Sequence, residues 1–215
     1  MKNHSINPIR LTILTCASAF ILGYLNAHGL LFNIGVMVSP QTGNLANMGV
    51  SLGQGDFPRL FDTLCIFGGF LLGCFIATAL EGVFKNKKHE LVMAWSIFAL
   101  PIVGYYFLID YLPYRLIITM LSFISGVALC FFRMVGKLEI NNSIVTGNMR
   151  FMSRALYEVI YKKDKSKYVR LISFTMVTFL FFFGALVVSL LSFLGIHTTL
   201  LLIAIITSLF YKVIL

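Results

Sequence analysis

Six apolar stretches divide this chain, at residues 11–32, 60–84, 91–109, 116–136, 171–194 and 198–215. Each is close to the roughly 20 residues that a helix needs to cross a bilayer. The charges inside them, Asp62, Glu81, Arg133 and Lys212, all stand within a few residues of an end. Only 12% of the 215 residues are charged, against about 25% in a soluble domain. The residues left between the stretches are too few for a separate soluble domain. The expected fold is an all-α integral membrane protein, one domain over 1–215 with six transmembrane helices. The opening MKNHSINPIR resembles the basic region of a signal peptide, but the run after it is long and closes on no small-x-small cleavage site. Residues 11–32 are therefore expected to be a retained anchor.

The net charge of +9 would suit a nucleic-acid binder, but its distribution points elsewhere. With a cytoplasmic N-terminus and six crossings, 15 of the 17 Lys and Arg residues fall inside and only Arg59 and Arg115 outside. This positive-inside pattern predicts that both termini are cytoplasmic. It makes the basic segment 150–170 chiefly a topology signal, with a secondary attraction to anionic headgroups.

The tripeptide Thr-Gly-Asn occurs twice, at Thr42-Gly43-Asn44 and Thr146-Gly147-Asn148. An offset of 104 aligns the two copies and also Ser39 with Ser143. One residue of slip upstream sets Phe20-Ile21-Leu22-Gly23 over Phe123-Ile124-Ser125-Gly126, and a seven-residue insertion in the second copy sets Arg59-Leu60 over Arg170-Leu171 and Gly73 over Gly184. Each half reads span, TGN segment, span, span, giving repeats at about 10–109 and 115–215. Three crossings per half would invert the second half relative to the first, around a pseudo-two-fold axis in the membrane plane.

Ser39 suits a helix N-cap and Pro40 the first helical position, with a stop at Gly53-Gln54-Gly55. In that short helix Asn44, Asn47 and Ser51 share one side and Leu45, Met48, Gly49 and Leu52 the other. The second copy has an apolar stripe of Val145, Met149, Met152, Leu156, Val159 and Ile160, and Arg150, Arg154, Glu158 and Lys162 at i, i+4. It reads as an amphipathic helix near the cytoplasmic interface. Two such half-helices would aim free N–H groups and the positive dipole end inward from opposite sides. That arrangement suits a polar site near the midplane, with an anionic or hydrogen-bonding solute. A packing role is compatible with it: Ser and Thr cap, Gly lets helices touch, and Asn bonds across the repeat interface.

Among the other polar residues, Asn26 and His28, near Gly23 and Gly29, suggest a broken first helix. A buried polar residue in a span is a functional candidate, although an interhelical contact is the favoured reading for His28. Glu81 is expected to meet Lys85, and Arg133 a lipid phosphate or Glu139. Asp62 and Glu81, nineteen residues apart near opposite ends of one span, cannot pair. Cys16, Cys65, Cys74 and Cys130 lie inside predicted spans without CxxC or metal-ligand spacing and read as packing residues. HExxH, GxSxG and P-loop motifs are missing, so neither an enzyme nor a cofactor is expected.

Gly23-Tyr24-Leu25-Asn26-Ala27 followed by Gln41-Thr42-Gly43-Asn44-Leu45 resembles the signature of the YoaK family of bacterial inner-membrane proteins. Phe132-Arg133 and Thr146-Gly147-Asn148-Met149-Arg150 are similar to its second-half elements. The resemblance covers nearly the whole chain and implies an inner-membrane location, but the family's domain has no established function. Where the family usually has Asp, this chain has Asn26, which cannot carry a proton. Ala128 and Cys130 stand where it tends to have glutamines. The expectation is a small-solute transporter or channel, with Thr42, Gly43, Asn44, Thr146, Gly147 and Asn148 at the centre and Asn26, Arg133 and Arg150 nearby. Its implied partners are membrane lipid and a small solute, with no nucleic acid; a homo-oligomer is left open. The alternative is a non-transporting scaffold or sensor acting through the basic segment 150–170.

Overall fold

The computed structural model describes residues 7–31, 37–83, 86–108, 111–194 and 205–206. Seven helices follow in chain order: α1 (Pro8–Leu31), α2 (Gln41–Gln54), α3 (Phe57–Leu80), α4 (Lys87–Leu108), α5 (Tyr114–Phe131), α6 (Val145–Ile160) and α7 (Tyr168–Phe193). Four helical segments are long and apolar enough to cross a membrane: Pro8–Leu31, Phe57–Leu80, Tyr114–Phe131 and Lys165–Phe193. The 22-residue α4 occupies the third expected stretch and carries Pro101 inside it. The expected sixth stretch, 198–215, lies outside the described residues except for 205 and 206.

Two expectations need correction. The fourth stretch does not stay helical to Gly136. It ends at Phe131, and a two-residue antiparallel ladder follows, β1 (Met134–Val135) against β2 (Leu138–Glu139). Gly136 turns it at φ 59°, in the left-handed region that favours glycine. The hairpin docks on the start of α1, where Thr15 Oγ donates to the Met134 carbonyl at 2.9 Å and Thr12 Oγ accepts from the Gly136 N–H at 2.8 Å. Nor is the first helix broken: α1 runs unbroken through Asn26 and His28. His28 Nδ1 lies 3.2 Å from the Tyr105 hydroxyl on α4, the interhelical contact favoured for it.

The centre is built from two helix pairs that touch through glycine. In the pair α1 and α7, a Cβ on Gly23 would lie 1.9 Å from the Phe181 carbonyl oxygen, and one on Gly184 would lie 2.0 Å from that of Phe20. In the pair α3 and α5, a Cβ on Gly126 would lie 2.3 Å from the Phe70 carbonyl oxygen, and one on Gly73 would lie 2.2 Å from that of Phe123. No side chain fits at those distances, so the backbones meet directly, as small residues allow in membrane helix packing. α3 and α5 run in the same direction: Asp62 pairs with Arg115 at their starts (2.8 Å), and Glu81 meets Arg133 at their ends (3.4 Å). α1 and α7 are likewise parallel, since Ala19 clusters with Phe174 and Val177 while Gly23 meets Phe181 further along. The hairpin that leaves the end of α5 sits on the start of α1, so the two pairs run in opposite directions.

The short α2 is inverted in polarity relative to a helix of a soluble protein, and α6 exposes apolar side chains beside its charged ones. On α2, Asn44 and Ser51 are buried while Leu45, Val50 and Leu52 are exposed. On α6, Asn148 is buried while Met149, Leu156 and Ile160 are exposed. Exposed apolar area on this scale marks a surface that meets lipid rather than water. At 14 and 16 residues, the helices are about 21 and 24 Å long, short of the roughly 30 Å hydrocarbon core.

Candidate functional site

Both TGN helices begin at one cavity of about 560 Å³. Its walls are Gly23, Asn26, Ala27 and Leu30 of α1, Phe70 of α3, and Phe181 and Ala185 of α7. Ser39, Pro40, Gln41, Thr42 and Gly43 enter from one copy, and Ser143, Ile144, Val145 and Thr146 from the other. Gly23, Phe70 and Phe181 stand well inside their helices, so the cavity reaches the middle of the two glycine-packed pairs, while its lining residues Thr42, Gly43, Ile144 and Thr146 remain exposed.

The TGN residues divide by role. Thr42, Gly43 and Thr146 line the cavity, as does Asn26; Asn44, Gly147, Asn148, Arg133 and Arg150 do not. The two asparagines do the same local work. Asn44 Nδ2 donates to the Met37 carbonyl at 3.1 Å, and Asn148 Nδ2 to the Asn141 carbonyl at 2.5 Å, each seven residues back. Each amide thus ties the start of its helix to the strand-like approach before it. Helix–helix contact is not the job of the TGN glycines either. A Cβ on Gly43 meets nothing within 4 Å, and one on Gly147 meets only the Asn141 amide nitrogen, at 3.0 Å. Close packing belongs instead to Gly23, Gly73, Gly126 and Gly184.

Ser39 is not the N-cap. Pro40 holds that position with no side-chain bond, and Ser39 is wholly buried one residue earlier. Asn26 organises it. Its Oδ1 accepts from the N–H groups of Val38 (3.1 Å) and Ser39 (3.2 Å), and its Nδ2 donates to Ser39 Oγ and to the Leu22 carbonyl, both at 2.7 Å. Ser39 Oγ donates onward to Ser125 Oγ at 3.0 Å, crossing into the second half of the chain. Asn26 therefore stays helical because the returning segment satisfies it.

On the other side the clasp is reversed, with the asparagine on the returning segment. Asn142 Nδ2 lies 2.7 and 2.9 Å from the carbonyls of Ala128 and Phe132 at the end of α5, and 2.9 Å from Ser18 Oγ on α1. Nothing in the motif reading singled out Asn142, Ser125 or Ser18. The available signal was their polarity inside otherwise apolar runs.

The expected arginines lie away from the cavity. Arg133 pairs with Glu81 at 3.4 Å and with Glu139 at 3.3 Å, near the hairpin. The expected Glu139 contact is thus present. The Lys85 proposed for Glu81 lies outside the described residues. Arg150 is exposed on α6, and Arg154 bonds Glu158 at 3.3 Å, one of the predicted i, i+4 pairs. Arg170 lies 5.2 Å from the Phe151 ring centre and 5.8 Å from that of Phe174, binding α6 to α7 by cation–π contact. Its aligned counterpart Arg59 reaches Asn47 of α2 at 3.3 Å. Among the described residues, no group of three or more His, Cys, Asp or Glu is placed to hold a metal ion.

The model of one protein family, described as "Protein of unknown function (DUF1275)", matches residues 14–212. The chain is also 23% identical over 170 residues to the UPF0700 transmembrane protein YoaK of Bacillus subtilis (strain 168), covering 75% of this chain and 72% of that one. No solved structure matches. With a family match over nearly the whole length and apolar helices of spanning length, the chain is a membrane protein of the YoaK (DUF1275) family.

Proposed function

We propose that this protein is a small-solute transporter or channel of the bacterial inner membrane, and that the solute passes through the cavity between the two TGN helix starts. One observation carries the reading: two short helices, far apart in sequence, both begin at the same cavity. Helix N-termini present unpaired N–H groups and a positive dipole end, and transporters built from inverted repeats place their sites between such discontinuous helices. Support for inverted repeats comes from reciprocity. Gly23 and Phe181 exchange the contact that Gly126 and Phe70 exchange, and Gly184 and Phe20 that of Gly73 and Phe123. The aligned helices α1 and α5 also point in opposite directions. Six crossings, with α4 and the 198–215 stretch closing each half, complete this reading. The positive-inside rule turns the face carrying Arg10, Arg133 and Lys137 towards the cytoplasm, and Arg59 and Arg115 outward.

The test is flux into proteoliposomes from a panel of small neutral and anionic solutes. Thr42→Phe and Thr146→Phe would each fill the cavity from one copy, and each is expected to cut flux of a responsive solute at least tenfold while the protein stays monodisperse. Unchanged flux in both variants, or no responsive solute at all, would overturn the reading.

A further inference from the structure

Ser39 and Ser143 are aligned, stand three residues before their TGN motifs, and both line the cavity. Their hydroxyls are not equivalent. Ser39 Oγ accepts from Asn26 and donates to Ser125. Ser143 is only 4% exposed, and its Oγ has no hydrogen-bond partner among the described residues. A buried hydroxyl left unpaired is costly, and native structures nearly always satisfy one with protein, water or ligand. Next to it α6 begins. Its first intrahelical bond is from the Asn148 N–H to the Ile144 carbonyl, at 3.5 Å. The N–H groups of Val145 and Thr146 therefore lack an intrahelical acceptor, and both residues line the cavity. Free helix-start donors and an unpaired, enclosed hydroxyl thus stand side by side at one border of an otherwise largely apolar space.

The walls select the solute. Among the described residues, every lining side chain is uncharged. A carboxylate would lose its water and find only the fractional positive charge of helix ends, and an ammonium would face two positive ends. A hydroxyl or primary amide fits better, because it can accept from the α6 N–H groups while exchanging a bond with Ser143, whose Oγ both donates and accepts. Phe70, Phe181 and Leu30 offer apolar wall to the rest of the molecule. A volume of about 560 Å³ falls within the roughly 300–1,000 Å³ of ordinary small-molecule pockets.

We propose that the cavity recognises a small uncharged amphiphile, whose amide or hydroxyl end is held at Ser143 and the start of α6. This rests on the solute-cavity reading above and narrows its substrate class. The probe set is isosteric: benzamide, benzoate and benzylammonium, titrated by NMR saturation transfer against the protein in nanodiscs, with empty nanodiscs as control. Benzamide is expected to bind saturably and at least tenfold more tightly than either ion. Ser143→Ala should weaken it at least tenfold with no loss of thermal stability, and Ser143→Thr, which keeps the hydroxyl, should retain binding. Tighter binding of benzoate, or benzamide binding unaltered in Ser143→Ala, would overturn the assignment. Absence of binding by all three, with solute flux still blocked by Thr146→Phe, would sink this inference alone; loss of flux for every solute would sink the transport reading with it.

Discussion

Around α2, the approach to the helix is held by a closed set of hydrogen bonds; around α6, the aligned approach leaves polar atoms open. On the first side Asn26, Ser39 and Ser125 satisfy one another, and Ser122 Oγ adds contacts of 2.9 and 2.7 Å to the Val38 and Ile66 carbonyls. On the second, Asn142 Oδ1, Ser143 Oγ and Asn148 Oδ1 are buried without partners among the described residues. The shared element is the TGN asparagine, which ties each helix start to the carbonyl seven residues back. The two TGN segments therefore share a backbone constraint but differ in polar detail. A saturated network rigidifies its segment, whereas an unsaturated one retains capacity to bond something else.

The sharpest way to break the comparison is through the glycine contacts that relate the halves. Gly73→Leu and Gly184→Leu stand at aligned positions, where even a Cβ would lie 2.2 and 2.0 Å from a carbonyl oxygen. Each is expected to cost about 3 kcal/mol or more, the upper range of overpacking, and to abolish monodisperse protein in size-exclusion chromatography. Gly68→Leu on the same α3, with nothing within 4 Å of its Cβ, should be tolerated. If only one of the two aligned variants were disruptive, the halves would not be packing equivalently.

The two clasps come next. Asn26→Leu strands two buried N–H groups, whereas Asn142→Leu takes the amide from the Phe132 carbonyl and one bond each from the Ala128 carbonyl, which keeps the Phe132 N–H, and from Ser18 Oγ, which keeps the Thr15 carbonyl. Orphaned N–H groups are rarer and less tolerated than under-bonded carbonyls. Asn26→Leu should therefore lose about 3 kcal/mol and Asn142→Leu about 1–2 kcal/mol, on the scale of an unsatisfied buried group, read as midpoints of thermal unfolding in detergent. The reverse order would mean that the second approach, not the first, is the rigid one.

Much of this architecture was legible in the sequence, for physical reasons. Bilayer thickness imposes a length on apolar runs, and the short polar-apolar helices announced themselves by sidedness. What failed was the assignment of partners. The run through Met134 and Val135 is as apolar as the span before it, so hydropathy cannot see α5 end at Phe131. Asn26 looked like a helix breaker because its satisfying groups, Val38 and Ser39, return from 12 and 13 residues away. Arg133 looked like a site residue, yet Glu81, 52 residues distant, neutralises it near the hairpin. Ser39 and Ser143 were visible as a matched pair, but a match in sequence says nothing about which hydroxyl is satisfied.

That difference sets the smallest effect and the finest test. Ser39→Ala removes an acceptor from Asn26 Nδ2 and a donor from Ser125, so buried partners lose bonds and about 1–2 kcal/mol of stability should go with them. Ser143→Ala deletes a group whose Oγ bonds nothing, so no partner is stranded and the change should fall within about 0.5 kcal/mol of zero, the scale of substitutions that break no named interaction. Removing an unpaired hydroxyl relieves its desolvation cost, so any measurable shift should be upward. The pair can be read side by side by thermal unfolding of the two variants in one detergent. Equal losses would mean that Ser143 is bonded as firmly as Ser39, and the contrast between the two helix starts would disappear. A loss confined to Ser39→Ala would assign the first approach to holding the fold and leave the second hydroxyl available to a solute.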